Sequence, residues 1–455
     1  MKTSIIILTY NKFEHTKQCI ESIREFTEKD SYELIVVDNN STDETSKWLE
    51  EQKDIRTIFN EDNKGFPKGC NQGIEIAIGD NILLLNNDTV VTKNWLDNLI
   101  TALYSDESVG AVGPVTNNCS NFQNIAVTYN NLEEMKAFAE EYNKSNSENW
   151  EHRLILIGFC LLVKKEVVAK IGLLDERFSP GNYEDDDYCF RITDAGYKLI
   201  LCKDTFIHHY GSVSFGADSL AFNNLMVTNS IKFKDKWGFD IGYSCGVNHN
   251  IISLMDSPKD KAINVLEVGC ACGATLMRIK DIYKNANIYG VEYNLNAAKI
   301  AQKNAKILGY NIETDKIECE EEFFDYIIFG DVLEHLHDSS KVLLDLKRFL
   351  KKDGFILASI PNVMHYSVIR GLLNGNWTYE DAGILDRTHL KFFTYNEIRR
   401  MFISTGYIDR YCLKVFIGRG PQDDEFINKI SELIDDSLKW QLDAYQYIVK
   451  AQRIN

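Results

Sequence analysis

Carboxylates, amides and imidazoles gather at a few places in this chain, each just after an apolar run. Thr9-Tyr10-Asn11 follows the run at residues 4–8, Asp38-Asn39-Asn40-Ser41 follows residues 34–37, and Asn86-Asn87-Asp88 follows residues 82–85. Farther on, Glu184-Asp185-Asp186-Asp187 places four carboxylates in succession, and His208-His209 precedes Gly211. Oxygen donors with an added imidazole suit Mg²⁺ or Mn²⁺, which keep part of their coordination open. Adjacent carboxylates raise one another's pKa, so one of the four is a candidate general base near neutral pH. Each cluster also has a plainer reading. Asn and Asp form turns by bonding their own backbone, acidic runs are often solvated loops, and isolated histidines are usually structural.

The elements around these clusters favour a site. Apolar runs of strand length alternate with helical patterns such as Cys19, Ile20, Ile23 and Phe26, and a capped helix start is expected at Ser41 or Thr42. Strands apolar on both faces and alternating with helices predict a parallel sheet covered by helices, whose ligands bind at the carboxyl ends of the strands. Between the second and third clusters, Gly65, Gly69 and Gly73 lead into a helix carrying Ile74, Ala77 and Ile78. Those glycines either let backbone amides approach a diphosphate or only allow close helix packing.

The second half begins after a polar break at residues 258–261. Residues 263–280 read as strand, glycine turn and helix, with Glu267, Gly269 and Gly273 in the turn region. The next strand ends on Glu292, placed to accept hydrogen bonds from a ribose. The spacing lacks the three glycines of a dinucleotide site and fits acid-x-Gly-x-Gly-x-Gly better, with Ala271 at the middle glycine. Ala271 there demands negative φ or local strain. Asp331 lies in "FDYIIFGDVLEHL", after the fourth strand of this half. His335 is a candidate base, although Leu333, Leu336, Val342 and Leu343 beside it favour a packed histidine. His389 in "DRTHLKFF" is a candidate on the acceptor side. The terminal "YQYIVKA" has the apolar pattern of a strand.

Size and charge bound the rest. A chain of 455 residues predicts two domains, and 6 prolines without a Gly/Ser-rich tract predict that they abut. A net charge of −17 argues against a nucleic-acid phosphate track and against docking on anionic lipid. The longest apolar run, residues 154–163, is about half of a bilayer span. The apolar stretch near the N-terminus is too short for a signal peptide, so a cytoplasmic protein is expected. Eleven cysteines without C-x-x-C spacing predict reduced, mostly buried thiols.

On "SIIILTYN", "VVDNNSTDET", "NKGFPKGCNQG", "LLLNNDTVV", "GLLDERFSPGNYEDDDYCFRITDAGYKL" and "HHYGSVSF", the first half resembles the family 2 glycosyltransferases with the nucleotide-diphospho-sugar transferase fold, in their rhamnosyltransferase-like branch. On "INVLEVGCACGATLMRIK", "FDYIIFGDVLEHL", "LKKDGFILASIPN" and "GILDRTHLKFFT", the second resembles the class I S-adenosylmethionine-dependent methyltransferases. The resemblance implies an α/β chain of two doubly wound domains, residues 1–242 and 243–455, with "YQYIVKA" as the final antiparallel edge strand of the second.

It also implies roles. Thr9, Tyr10, Asn11, Asp38, Asn39, Gly65, Asn87 and Asp88 would bind the nucleotide sugar, with Asp88 and His209 as ligands of Mn²⁺ or Mg²⁺. The family's Asp-x-Asp appears here with Asn86 in place of its first Asp. Asp185 would deprotonate an acceptor hydroxyl for inverting transfer, with Asp187 as second choice. Glu267, Gly269, Gly273, Glu292 and Asp331 would bind S-adenosylmethionine. The implied function is transfer of a sugar from a nucleotide-diphosphate donor, of the deoxythymidine or uridine type, to a glycan or other hydroxyl acceptor, together with methylation of the same or a related acceptor. The alternative is a glycosyltransferase whose second domain is a non-catalytic binding module. Sugar, acceptor, methylated atom and oligomeric state are not specified by the sequence.

Overall fold

The computed structural model describes residues 1–211 and 219–454; the last four residues of the "HHYGSVSF" stretch lie outside the described residues. The chain divides into two compact units, Met1–Cys245 and Gly246–Asn455.

The strands of the first unit are β1 (Thr3–Thr9), β2 (Tyr32–Asp38), β3 (Ile55–Phe59), β4 (Asn81–Asn86), β5 (Thr89–Val90), β6 (Val109–Val115), β7 (Trp150–Arg153), β8 (Cys160–Lys164), β9 (Lys198–Phe206) and β10 (His208–His209). Eight of them form one sheet in the order β3-β2-β1-β4-β8-β6-β9-β7, while β5 and β10 pair separately. Ile5 and Ile7 of β1 face one core and Ile6 faces the other, so apolar side chains cover both faces of the sheet. The helix Phe13–Phe26 adds Cys19, Ile20 and Ile23 to the first of these cores.

The expected parallel pairing holds among β3, β2, β1 and β4 and again between β6 and β9, whereas β7 and β8 run antiparallel to their neighbours. The run at residues 154–163 ends in β8, which enters between β4 and β6 antiparallel to both. Two expected details of the helices also differ. The helix after β2 starts at Thr45 rather than at Ser41 or Thr42, because Ser41 and Thr42 instead bond the backbone and side chain of Asn11. The glycine-bearing helix ends at Ile76, which leaves Ile78 exposed.

Within that helix the glycines divide by role. A Cβ on Gly69 would lie 2.2 Å from Leu8 Cδ1, and one on Gly73 would lie 2.5 Å from Ile6 Cγ2, so these two glycines allow the helix to pack on β1.

The second unit contains β11 (Asn264–Val268), β12 (Asn287–Val291), β13 (Lys306–Gly309), β14 (Phe324–Gly330), β15 (Leu350–Pro361), β16 (Tyr407–Val415) and β17 (Gln446–Arg453). Its sheet order is β13-β12-β11-β14-β15-β17-β16. The first five strands pair in parallel, and β17 is antiparallel to both of its neighbours. The terminal strand is therefore antiparallel as expected but not at the edge; β16 takes the edge. Burial explains the placement, since Tyr447, Val449 and Ala451 enter one core and Ile448 enters the other.

Both units are thus α/β, with helices on both faces of a sheet. All eleven cysteines are free thiols. Among the described residues no helix is long and apolar enough to cross a membrane.

Candidate functional site

Register brings the first three polar clusters together. Thr9 pairs with Asp38 across β1 and β2, and Leu8 pairs with Asn86 across β1 and β4, so the clusters emerge side by side at the carboxyl edge. Asn87 is buried, and its amide donates to Thr9 Oγ1 at 3.3 Å and to Thr16 Oγ1 at 3.0 Å. Its side chain fixes the turn. Asp88 projects next to it, 7 % exposed.

The β5–β10 pair then delivers an imidazole. His209 lies opposite Thr89, and the Tyr210 amide donates to the Asp88 carbonyl at 3.0 Å. His209 Nε2 stands 3.2 Å from Asp88 Oδ1. The other ring nitrogen, Nδ1, is 2.8 Å from the Asn118 carbonyl, which can only accept, so Nδ1 carries the proton. In the neutral ring Nε2 is then a bare lone pair facing a carboxylate oxygen. Two acceptors at that distance suit a shared cation or a protonated ring. This donor set fits the divalent ion expected at Asp88 and His209, and the tie from Nδ1 to a carbonyl is the usual way a metal-binding imidazole is oriented.

His208 faces elsewhere. Its Nδ1 meets the Tyr129 hydroxyl at 2.7 Å, its ring packs edge-on to Tyr210, and burial pushes its pKa down to about 4.

The acidic run opens the helix Glu184–Asp194, and its members diverge. Asp185 is partly buried; its Oδ2 accepts from the Gly158 amide at 2.8 Å, and burial holds its carboxyl above the usual aspartate range. Glu184 and Asp186 are raised further, first by burial and then by the neighbouring carboxylates. Asp187, the second choice for the base, turns the other way. It is fully buried and meets Arg191 Nε at 2.9 Å, Lys236 Nζ at 2.5 Å and Trp237 Nε1 at 3.0 Å. Its Oδ2 is held by Arg191 of its own helix and its Oδ1 joins that helix to the helix Ser219–Trp237, so both oxygens are committed, which removes Asp187 from the base role.

Gly158 and Phe159 link the two groups of side chains. Gly158 binds Asp185, while Phe159 stacks on His209 with ring centroids 5.1 Å apart and accepts from the Asn86 amide at 2.9 Å. Neither residue was singled out in the sequence. Asn117 and Asn118 were also missed. Asn117 pairs with both the amide and the carbonyl of His209, and Asn118 holds its ring and the Tyr210 carbonyl. A signal for them existed, because "TNN" follows β6 as the other polar clusters follow β1, β2 and β4.

Several expected nucleotide contacts serve the loops. Asp38 accepts from the Ser41 amide at 3.0 Å and from the Ser46 hydroxyl, and a carboxylate retains lone pairs for another donor. Asn39 spends both amide hydrogens on Asn63 and the Gly65 carbonyl, and its Oδ1 accepts from Asn60. Asn11 holds Ser41 and Thr42, Thr9 holds Thr16, and Tyr10 stands exposed. Gly65 has φ 80°, and a Cβ there would meet Pro180 Cα at 3.0 Å. The helix start expected to present amides has few to spare: the Phe66 amide goes to the Pro180 carbonyl, and Pro67 has none.

In the second unit Glu267 is buried beside the glycine turn. Its Oε2 lacks a hydrogen-bond partner, and burial raises its carboxyl to about 8. An orphaned oxygen at this turn fits a ligand that donates hydrogen bonds. Gly269 (φ 72°) has no room for a Cβ, which would lie 2.5 Å from Val332 Cγ2, and Gly273 (φ 85°) caps the following helix. Ala271 takes the strained alternative, with φ 47°. Its amide donates at 2.7 Å to Glu292 Oε2, while Glu292 Oε1 accepts from Asn294 at 2.7 Å. Glu292 therefore shapes the turn as well as ending β12. Asp331 (φ 54°) is exposed at the end of β14, where Gln446 reaches its carboxylate.

Family comparisons coincide with these two units. Residues 4–172 match the model for glycosyl transferase family 2, and residues 245–409 match one for a methyltransferase domain. The chain joins a family 2 glycosyltransferase domain to a methyltransferase domain. Among curated relatives, glycosyltransferase AglE of Haloferax volcanii is 27% identical over 210 residues, covering 44% of this chain and 64% of the relative. The O-antigen biosynthesis protein RfbC of Myxococcus xanthus is 27% identical over 244 residues, covering 48% of this chain and 18% of its own length. The chain therefore spans less than two thirds of either relative. Of solved structures, a Pyrobaculum calidifontis mannosyltransferase in complex with GDP-Man and Mn²⁺ aligns at 20% identity with TM-score 0.39, covering 51% of this chain and 63% of its own. An S-adenosylmethionine-dependent methyltransferase from Thermotoga maritima aligns at 15% with TM-score 0.32, covering 45% and 86%.

The divergence of the acidic run in the glycosyltransferase domain is testable by stability. Asp187→Ala removes a buried carboxylate from two cations and is expected to destabilise the domain by about 3 kcal/mol in denaturant unfolding. Asp185→Asn keeps an acceptor for the Gly158 amide and is expected to cost about 1 kcal/mol or less.

Proposed function

We propose that the glycosyltransferase domain transfers a sugar from a nucleoside-diphosphate donor to a hydroxyl acceptor with inversion, and that the methyltransferase domain methylates the same or a related acceptor. The observation that carries the first part is the bare Nε2 of His209 facing the Asp88 carboxylate, with Asp185 reached through Gly158 and Phe159. Asp88 and His209 would hold Mn²⁺ or Mg²⁺, which neutralises a departing diphosphate when bound. Asp185 would accept the proton of the acceptor hydroxyl. Burial raises its pKa, which makes it a stronger base than an exposed aspartate. Thr9, Asn87 and Gly65 shape the donor side, and Asp38 retains acceptor capacity for a nucleobase. The relative named for O-antigen biosynthesis supports a polysaccharide acceptor.

In the methyltransferase domain Glu267, Gly269, Gly273, Glu292 and Asp331 would hold S-adenosylmethionine, which supplies the methyl group from its sulfonium. The orphaned Glu267 oxygen and the Gly269 cradle support this reading. The left-handed Ala271 favours a second reading in which the domain only binds, since such a conformation costs an L-residue about 1–2 kcal/mol.

Thermal shift with uridine and deoxythymidine diphosphates tests the donor side. Mn²⁺ is expected to enhance nucleotide stabilisation in the wild type and not in Asp88→Ala; equal, metal-independent shifts in both would remove the metal role. Asp185→Asn is expected to lower kcat by roughly 10²–10⁴-fold. Because the base works deprotonated, activity is lost as pH falls through its pKa. The acid limb of kcat/KM should therefore lie above the ordinary aspartate value of about 3.9. Given S-adenosylmethionine and its own glycosylated product, the intact chain is expected to release S-adenosylhomocysteine, and binding without release would assign the module reading.

A further inference from the structure

The turn just beyond β14 holds a group of side chains that neither transfer reaction has used. Glu334 is 1% exposed, and among the described residues neither of its carboxylate oxygens has a hydrogen-bond partner. Burying a carboxylate in that state is unfavourable, so some cationic or hydrogen-bonding group should complete it. Two histidines supply the surroundings. One potential ligand atom from each of Glu334, His335 and His389 lies within 4.8 Å of the others.

The packed-histidine expectation for His335 does not hold. Leu333, Leu336, Val342 and Leu343 are buried, but the helix begins only at Ser339, and His335 sits partly exposed on the short turn Leu333–His335. Its Nδ1 lies 3.2 Å from both the Thr388 carbonyl and the Thr388 hydroxyl, and that hydroxyl donates to Asp386 Oδ1 at 2.6 Å, so it too accepts from the ring. His389 Nδ1 lies 3.0 Å from the Ile384 carbonyl. A ring nitrogen beside a carbonyl is the donor, so Nε2 is the nitrogen each ring keeps for a ligand, as in oriented metal sites. The backbone fastens the two halves of the group together, because the Glu334 carbonyl accepts from the amides of Leu390 and Lys391 at 2.9 and 3.0 Å.

The geometry points to a divalent transition-metal site formed by Glu334, His335 and His389 at the carboxyl edge of the methyltransferase sheet. Two imidazoles and one carboxylate suit ions of the Mn²⁺ and Zn²⁺ kind, and three protein ligands leave coordination open to an outside oxygen. Donors at about 2.0–2.2 Å from one ion stand roughly 3–4 Å apart, so binding would draw the three side chains slightly inward. The outside oxygen would come from the molecule occupying this edge, where sheets of this kind hold their ligands. The site does not depend on methyl transfer being the reaction there.

Metal counting on the full chain tests it. Bound Mn²⁺ is measured from the electron paramagnetic resonance of the free ion, and bound Zn²⁺ by competition with a chromogenic chelator. His389→Ala, His335→Ala and Glu334→Gln are each made in the wild type and in Asp88→Ala, with thermal melts to select variants that remain folded. Each substitution is expected to remove one bound ion, or to weaken that ion roughly tenfold or more, relative to its own parent. The loss in the Asp88→Ala background separates this site from the one at Asp88. Folded His389→Ala and His335→Ala chains that bind both ions as their parents do would overturn the assignment.

Discussion

A carboxylate drawn into a protein interior must be completed by something, and the local structure of both domains follows from how each one is completed. Asp187 is completed internally by two cations and an indole, so it became part of the framework. Asp88 faces an imidazole whose other nitrogen is already spent on a main-chain carbonyl, a pairing that only a cation or a proton between the two completes. Among the described residues, Asp185 accepts from the backbone amides of Gly158 and Asp186 and from no side chain. That graded satisfaction separates the carboxylate that holds the fold from those left with capacity for an outside partner. Chemically, these residues differ little; their surroundings distinguish them.

Much of this was legible in the sequence because strand ends are legible. An apolar run that stops at Asn-Asn-Asp marks both a strand and the edge where it ends, and parallel register then places several such ends together. The same logic placed Thr9, Asp38, Asp88 and Glu292 at strand ends, while Glu267 was singled out by its spacing to the glycines. It could not say which side chains would turn inward to brace their own loops, because that depends on contacts across distant segments. Asn39 binds Asn60 and Asn63, and Asn11 binds Thr42, pairings that no spacing along the chain encodes. Adjacent members of the acidic run were equally ambiguous until the position of the helix Ser219–Trp237 showed which one it covers.

The errors in topology have a related origin. A strand apolar on both faces must lie in a sheet interior, but its direction is set by the connection that delivers it. Residues 154–163 were long and apolar enough to mark burial, yet nothing in them specified that β8 would run opposite to β4. The terminal strand repeated the problem. Its alternating burial into two cores forces β17 between β15 and β16, while the sequence pattern alone was compatible with an edge.

Ala271 shows how far a local rule can bend when the neighbours insist. A glycine would adopt φ 47° without strain, whereas an alanine reaches it only if the turn is held from outside. Glu292 provides that hold by accepting the Ala271 amide with one oxygen while the other accepts Asn294. The acid that ends the second strand of the methyltransferase domain thus stabilises the very turn from which the middle glycine is missing. A carboxylate bonded this way still has lone pairs to offer, so bracing the loop and receiving a hydroxyl are compatible roles. The same economy governs His209, where one ring nitrogen secures the fold and the other faces the site.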